Sequence, residues 1–307
     1  MLLKNCVARE FNLSNIMQKF KAAIFDFDGT VTEKGIPEMN PDMINTLIEL
    51  AKKMPIGFCT GRNLESFLRR GLDQLTNYLN DDDRDEVLKN IYLLAENGSV
   101  GYFFNTDINN YEEFYRIDWP ESLISMEKLK LDLSEKVKPW GELFYNAHKA
   151  VVVYRTVLYD VEDHDADEIY AFSRKIYEVI VGYLESVSEN YENFLHVGDA
   201  GLGVLIIPAD GDKDAGIKRF AQYFSEKFNT SFGKNLKDIM VVGDRPQKSG
   251  NDYYLLNSGL GTPFTVGDLG EGEYPPTPVT GEDGERIFNG KGTLHLIKKV
   301  LKEFQQG

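Results

Sequence analysis

The chemistry of this chain concentrates in Asp26-Phe27-Asp28-Gly29-Thr30. A short apolar run, Ala22 to Phe25, leads into two carboxylates spaced two apart; a glycine and the hydroxyls of Thr30 and Thr32 follow. The run reads as a buried strand closed by a turn. Side chains two apart on a strand share a face, so the spacing predicts that Asp26 and Asp28 point towards one spot as the strand ends. Two such charges repel unless a cation or a proton intervenes, so the pattern calls for a metal, a shifted pKa, or both. The plainer alternative is an Asp-Gly turn with both carboxylates solvated.

Three more candidate groups fall at similar places. Thr60 closes a second apolar run, Pro55 to Cys59, and Gly61-Arg62 turns it into a helical pattern bearing Leu64, Phe67 and Leu68. A threonine at a helix N-terminus offers a hydroxyl, free N–H groups and a dipole that favours an anion, or it is a plain N-cap. Lys213, in Gly211-Asp212-Lys213-Asp214, precedes a helical pattern over 215–228. It is placed to neutralise phosphate or pair with Asp26; an ordinary surface lysine is the alternative. Gly243-Asp244 follows the apolar run Ile239 to Val242, with Asn251-Asp252 further on. Oxygen ligands from separate loops suit magnesium, against the alternative of an ordinary strand-ending loop.

The elements that must position these groups alternate. Asn40-Pro41 reads as a helix cap with proline at the first helical position, and Ile44, Leu47, Ile48 and Ala51 follow at helical spacing. Ile91 to Ala95 is a third strand, and Asn97-Gly98 predicts a hairpin into Ser99–Phe104. The charge run Asp81 to Glu86 lacks the glycine and spacing of a calcium loop and reads as a solvated loop or helix start. Residues 112–208 are aromatic and acidic, with strands at Val151–Tyr154 and Gly203–Ile207 around a helix from Asp167 to Val187. After Pro208 the alternation resumes: a short helix holds Leu255-Leu256, a strand runs Pro263–Val266, and an amphipathic helix spans Thr293–Phe304 after a Pro/Gly-rich surface loop, 267–292. This order predicts an α/β fold, a Rossmann-like doubly wound parallel sheet core over 21–111 and 209–307. Residues 112–208 form an inserted α+β module, and 1–20 an N-terminal extension. In such sheets ligands gather beyond the carboxyl ends of the strands, where the four groups fall.

The chain has 307 residues and a net charge of −15. That balance repels phosphate backbones and excludes nucleic acid as the expected partner. A phosphate must then be held locally, by a metal and a few donors. Two cysteines, Cys6 and Cys59, make neither a disulfide framework nor a zinc cluster, and Cys59 reads as a small apolar core residue. No apolar run approaches the ~18 residues of a membrane span. Residues 1–20 do not resemble a secretory signal, so a cytoplasmic setting is expected.

Taken together, Asp26-Phe27-Asp28-Gly29-Thr30, Thr60-Gly61-Arg62, Lys213, and Gly243-Asp244 with Asn251-Asp252 resemble, in order, the four signatures of the haloacid dehalogenase-like superfamily. The insert resembles the larger α/β cap of its sugar-phosphatase and phosphomannomutase branch, which Glu96-Asn97-Gly98 also suits. The long stretch from Gly243 to Asp252 is similar to the eukaryotic-type phosphomannomutase form. The resemblance implies a Mg²⁺-dependent phosphatase acting on a small phosphate ester, a sugar phosphate. Asp26 would be the nucleophile and Asp28 the acid and base. Thr60 and Lys213 would hold the phosphoryl group, with Gly61 and Arg62 beside it. The metal would be held by the Asp26 carboxylate, the Asp28 carbonyl and Asp244, with Asp252 and Asn251 nearby. Arg155, His148 and Lys149 are the insert's candidates for gripping substrate; His164 and His196 carry no argument. A hexose phosphomutase and a non-catalytic binding protein on the same fold are the alternatives.

Overall fold

The computed structural model describes residues 20–140, 142–144, 151–154, 166–201, 203–270 and 273–306. The strands are β1 Ala22–Phe25, β2 Ile56–Cys59, β3 Ile91–Ala95, β4 Val100–Asn105, β5 Asn110–Arg116, β6 Glu142–Phe144, β7 Val151–Tyr154, β8 Leu195–Asp199, β9 Gly203–Pro208, β10 Ile239–Gly243, β11 Thr262–Thr265 and β12 Thr277–Pro278. They form an eight-stranded sheet, ordered β12-β11-β10-β1-β2-β3-β4-β5, and a four-stranded sheet, ordered β6-β7-β9-β8.

In the large sheet every pair from β12 to β3 is parallel, while β4 and β5 run antiparallel at one edge. The central strands are buried on both faces, which is why they read as unbroken apolar runs. Alternate side chains serve opposite layers. Ala23, Phe25, Ile56, Phe58, Met240 and Val242 pack in one cluster with the helices Pro41–Ala51 and Asn289–Gln306. Ala22, Ile24, Tyr92, Leu94, Ile239 and Val241 pack on the other side against the helix Lys213–Phe228 through Ile217, Phe220 and Phe224. This is the doubly wound α/β architecture expected from the sequence.

The four-stranded sheet is wholly antiparallel. One face of β8 and β9, with Leu195, Val204 and Ile206, closes on the helices Met126–Val137 and Ala166–Val187. The other face carries His196, Gly198 and Leu205, and it meets the large-sheet loops. Leu205 packs where a Cβ on Gly61 would come within 2.8 Å of its side chain. The two chain crossings between the sheets are tied at Ser99: Ile117 N–H donates to its carbonyl, and its hydroxyl donates to the Gly211 carbonyl at 2.9 Å.

Several element boundaries differ from the sequence reading. β5 belongs to the large sheet, so that sheet continues past residue 111 to Arg116. Its alternation was masked because, as an edge strand, it buries Tyr111 but exposes Glu112 and Glu113. β8 interleaves Leu195 and Val197 with a histidine, a glycine and an aspartate, an alternation too short to stand out. Asp81–Leu88 is a helix, whose Asn80 cap accepts from Asp83 N–H at 2.8 Å and whose first-turn acids suit the dipole. The stretch 267–292 is not all loop: it holds β12, whose proline an edge strand tolerates, and the last helix starts at Asn289. The helix after β2 begins only at Leu64, capped by Asn63, so Thr60 lies in the turn before it. Residues 1–19, with Cys6, and Arg155, His148, Lys149 and His164 lie outside the described residues. Among the described residues no helix is long and apolar enough to cross a membrane.

Candidate active site

β1 is the centre of the sheet, between β10 and β2, and all three run parallel. Their carboxyl ends therefore open on one side, and the residues that follow them meet there. Asp26 continues the ladder by one bond, donating its N–H to the Val242 carbonyl at 2.9 Å. The chain then folds over itself. The N–H groups of Thr30, Val31 and Thr32 all converge on the Phe27 carbonyl, and Gly29 N–H donates to Thr32 Oγ1 at 3.2 Å. Gly29 has φ +80°, and a Cβ there would lie 2.8 Å from Asp244 Oδ2. Both the left-handed backbone and the close carboxylate require glycine at this position.

Asp26, Asp244 and Asp252 each offer an oxygen within 4.8 Å of one another. Into this cluster comes Lys213, the first residue of its helix and fully buried. Its Nζ donates to Asp26 Oδ1 at 2.7 Å and to Asp252 Oδ1 at 2.6 Å. The second oxygen of Asp252 accepts from the Asp244 and Arg245 N–H groups at 2.9 and 3.1 Å. Asp252 is thus locked at both oxygens, Asp26 at one, and Asp244 Oδ1 is buried without a hydrogen-bond partner.

The electrostatics follow from this crowding. Burial, and then the neighbouring Asp252, push the Asp26 carboxyl up to about 7, against the pull of Lys213. Burial, with Asp252 and Asp26 nearby, holds Asp244 well above the usual carboxylate range. Burial also works on Asp252, but the Lys213 ammonium and its hydrogen bond outweigh it and hold that carboxyl low. For Lys213 burial favours the neutral amine, yet the two carboxylates prevail and keep it charged. Three carboxylates face one ammonium, which leaves two negative charges to neutralise if all three ionise. A divalent cation does that, and the unpartnered Asp244 oxygen supplies an open ligand, so the donor set fits a magnesium-like ion.

Asp28 stands apart. Strand β1 stops at Phe25 and Asp26 adds one ladder bond, so Asp28 lies in the turn, where strand alternation does not govern it. The Asp28 side chain, partly exposed, sits in the fork of Arg62: Nε donates to Oδ2 at 2.8 Å and Nη2 to Oδ1 at 2.5 Å. Asp28 is thus paired with Arg62, yet its charge still adds, after burial and Asp252, to the upward push on Asp26. Thr60 is buried in the turn after β2. Its hydroxyl accepts from Arg62 N–H at 3.3 Å, and its carbonyl accepts from Asn97 N–H at 2.8 Å.

Behind Lys213 lies a layer that the sequence reading missed. Asp212 caps the helix: Oδ1 accepts from Lys213 N–H at 2.6 Å and from Asn97 Nδ2 at 2.8 Å. Its Oδ2 meets His196 Nδ1 at 2.9 Å, and the His196 ring stacks on Tyr254 with centroids 4.0 Å apart. Burial holds the Asp212 carboxyl above its ordinary value despite His196. Asn97 reaches Asp212 because it takes a left-handed φ of 61°, which asparagine tolerates. Asp212 directly before Lys213 was the one available signal, as an N-cap residue. Cys59 is buried beside this layer, and burial pushes its thiol up.

No protein-family model matches the chain. Its sequence is 25% identical over 247 residues to a phosphomannomutase of Spinacia oleracea, covering 77% of this chain and 86% of that protein. Among solved structures it is similar to an N-terminally truncated IMP-nucleotidase of Plasmodium falciparum, with TM-score 0.63, 13% identity, and 94% of this chain and 72% of that one covered. The C-terminal domain of a C. albicans trehalose-6-phosphate phosphatase superposes with TM-score 0.60 at 14% identity, covering 94% and 95%. A haloacid dehalogenase-like hydrolase of Bacteroides thetaiotaomicron gives TM-score 0.54 at 13% identity, covering 92% and 100%. The chain has the haloacid dehalogenase-like fold that its four signatures indicated.

Proposed function

We propose that the protein is a Mg²⁺-dependent phosphatase that hydrolyses a small phosphorylated metabolite, a sugar phosphate, through an aspartyl-phosphate intermediate. The observation that carries this reading is the buried triad of Asp26, Asp244 and Asp252 around Lys213 at the end of the central strand. The similarity to a phosphomannomutase and to a trehalose-6-phosphate phosphatase favours a sugar phosphate. A phosphoryl group then has to be attracted into a site whose protein charge is negative. Asp26, Asp244 and Asp252 would hold the cation, with the Asp28 carbonyl; when bound it screens the anionic nucleophile from the anionic substrate.

The chain's own groups divide the remaining work. Asp26 Oδ attacks phosphorus and the leaving oxygen departs with its electron pair. Lys213 fixes the Asp26 carboxylate and, with Thr60, the Gly61 N–H and the Arg62 guanidinium, offers charge and donors to the transferring oxygens. Asp28 gives a proton to the leaving oxygen and then takes one from the water that cleaves the acyl phosphate. For that it must leave the Arg62 fork, and an arriving phosphate supplies Arg62 with a replacement anion. The inserted module, the part of 112–208 that follows β5, excludes bulk water through the Leu205–Gly61 contact.

The extended Gly243–Asp252 loop and the phosphomannomutase similarity favour a second reading, a hexose phosphomutase. A screen of phosphate esters with Mg²⁺, reading free phosphate, separates the two. A phosphatase releases phosphate without any sugar bisphosphate; a mutase returns an isomeric ester and needs the bisphosphate. Absence of either activity, across esters and with metal supplied, contradicts the proposal.

A further inference from the structure

The acidic loop is built partly by the inserted module. β8 is the edge strand of the small sheet, and its last residue, Asp199, extends that edge onto the loop of the large sheet. Asp199 N–H donates to the Ser249 carbonyl at 2.7 Å, and Asn251 N–H donates to the Asp199 carbonyl at 3.2 Å, a parallel bridge centred on Gly250. Arg245 then clamps the join: Nε donates to the same carbonyl at 2.8 Å and Nη2 lies 3.2 Å from Asp199 Oδ2. The other carboxylate oxygen is held inside the module, by Ser173 Oγ at 2.6 Å and Gly201 N–H at 2.8 Å. Gly198 permits the approach, since a Cβ there would lie 3.0 Å from Asn251 Cα. Asp199 is almost fully buried, and a buried carboxylate so fully satisfied is a strong, directional tie.

The clamp lies one residue from the triad on both sides. Arg245 follows Asp244, and its N–H helps to hold Asp252 Oδ2; Asn251 precedes Asp252. We propose that Asp199 and Arg245 are positioning residues: the docked module braces the Asp244–Asp252 loop, so the metal-binding triad takes its geometry only when the module is seated. The inference rests on the metal reading of the triad. The loop reaches β8 through Ser249, Gly250 and Asn251. It also gives the edge of β8 a covering partner, which an open strand edge needs.

The test uses the full chain, with Mn²⁺ as the probe ion followed by calorimetry, and hydrogen exchange of the segments 195–201 and 247–253. In Arg245→Ala and Asp199→Ala we expect Mn²⁺ affinity to fall about tenfold, the change that one lost charged hydrogen bond carries into an equilibrium. Both segments should lose protection together while β1 keeps its own. Arg245→Lys, with charge but no fork, should recover part of the affinity, and Glu178→Gln, an exposed change on the module's long helix, should alter neither readout. Unchanged Mn²⁺ affinity in the alanine variants, or protection lost in one segment alone, overturns the proposal. If the unmodified protein binds no divalent ion, the metal reading fails, and the bracing of a metal site fails with it.

Discussion

Lys213 is the buried ammonium that pairs with two of the three triad carboxylates, Asp26 and Asp252. Lys213→Met keeps the volume of the side chain and removes the charge and both hydrogen bonds, at 2.7 and 2.6 Å. Removing one partner of a buried ion pair costs about 3–5 kcal/mol, because the remaining charges are left uncompensated. That corresponds to a fall in Tm of roughly 5–8 °C for a protein of this size. The loss is smallest at low pH, where the carboxyls left behind take up protons. Adding Mg²⁺ should restore more Tm in the variant than in the unmodified protein, since the cation replaces charge the variant lacks. Thermal denaturation in chelator and in Mg²⁺, at pH 5 and pH 8, measures all of this. A variant as stable as the unmodified protein in chelator at pH 8, with no added response to Mg²⁺, refutes the electrostatic account.

Asp26→Asn removes a carboxyl whose pKa is raised to about 7 in the fold against an ordinary 3.8. Between those values the folded state binds more protons than the unfolded state, so Asp26 costs stability progressively as pH rises from about 4 to about 7. In chelator, the Tm of Asp26→Asn relative to the unmodified protein should therefore rise over that window; a flat difference contradicts the shift. Gly29→Ala forces a Cβ within 2.8 Å of Asp244 Oδ2 at a left-handed φ. It should cost about 1–3 kcal/mol and weaken Mg²⁺ binding by displacing Asp244, read by denaturation and calorimetry. Normal metal affinity in a folded Gly29→Ala would show that Asp244 is not a ligand.

The fold was largely legible because its central strands are buried on both faces and announce themselves as apolar runs. Asp26, Thr60 and Asp244 were legible for the same reason: each directly follows such a run. Lys213 was readable only through the order of the signatures, since nothing local marks a lysine that enters the core. What stayed hidden depends on contacts far apart in the chain. β5 and β8 are edge strands whose alternation is polar or too short. Asp212, His196, Arg245 and Asp199 act across the join between the two sheets, and no local pattern links residues 46 apart. The Arg62–Asp28 pair was hidden differently: both residues were singled out, but a turn, unlike a strand, sets no face for its side chains.

The central claim is that Asp26 accepts a phosphoryl group, and it can be read directly. The protein is acid-quenched during turnover of a phosphate ester with Mg²⁺, and the tryptic peptide 22–34 is fragmented by mass spectrometry. The account predicts a phosphoryl mass gain on Asp26, absent from Asp26→Asn, which releases no phosphate. Phosphate release that persists at full rate in Asp26→Asn contradicts it.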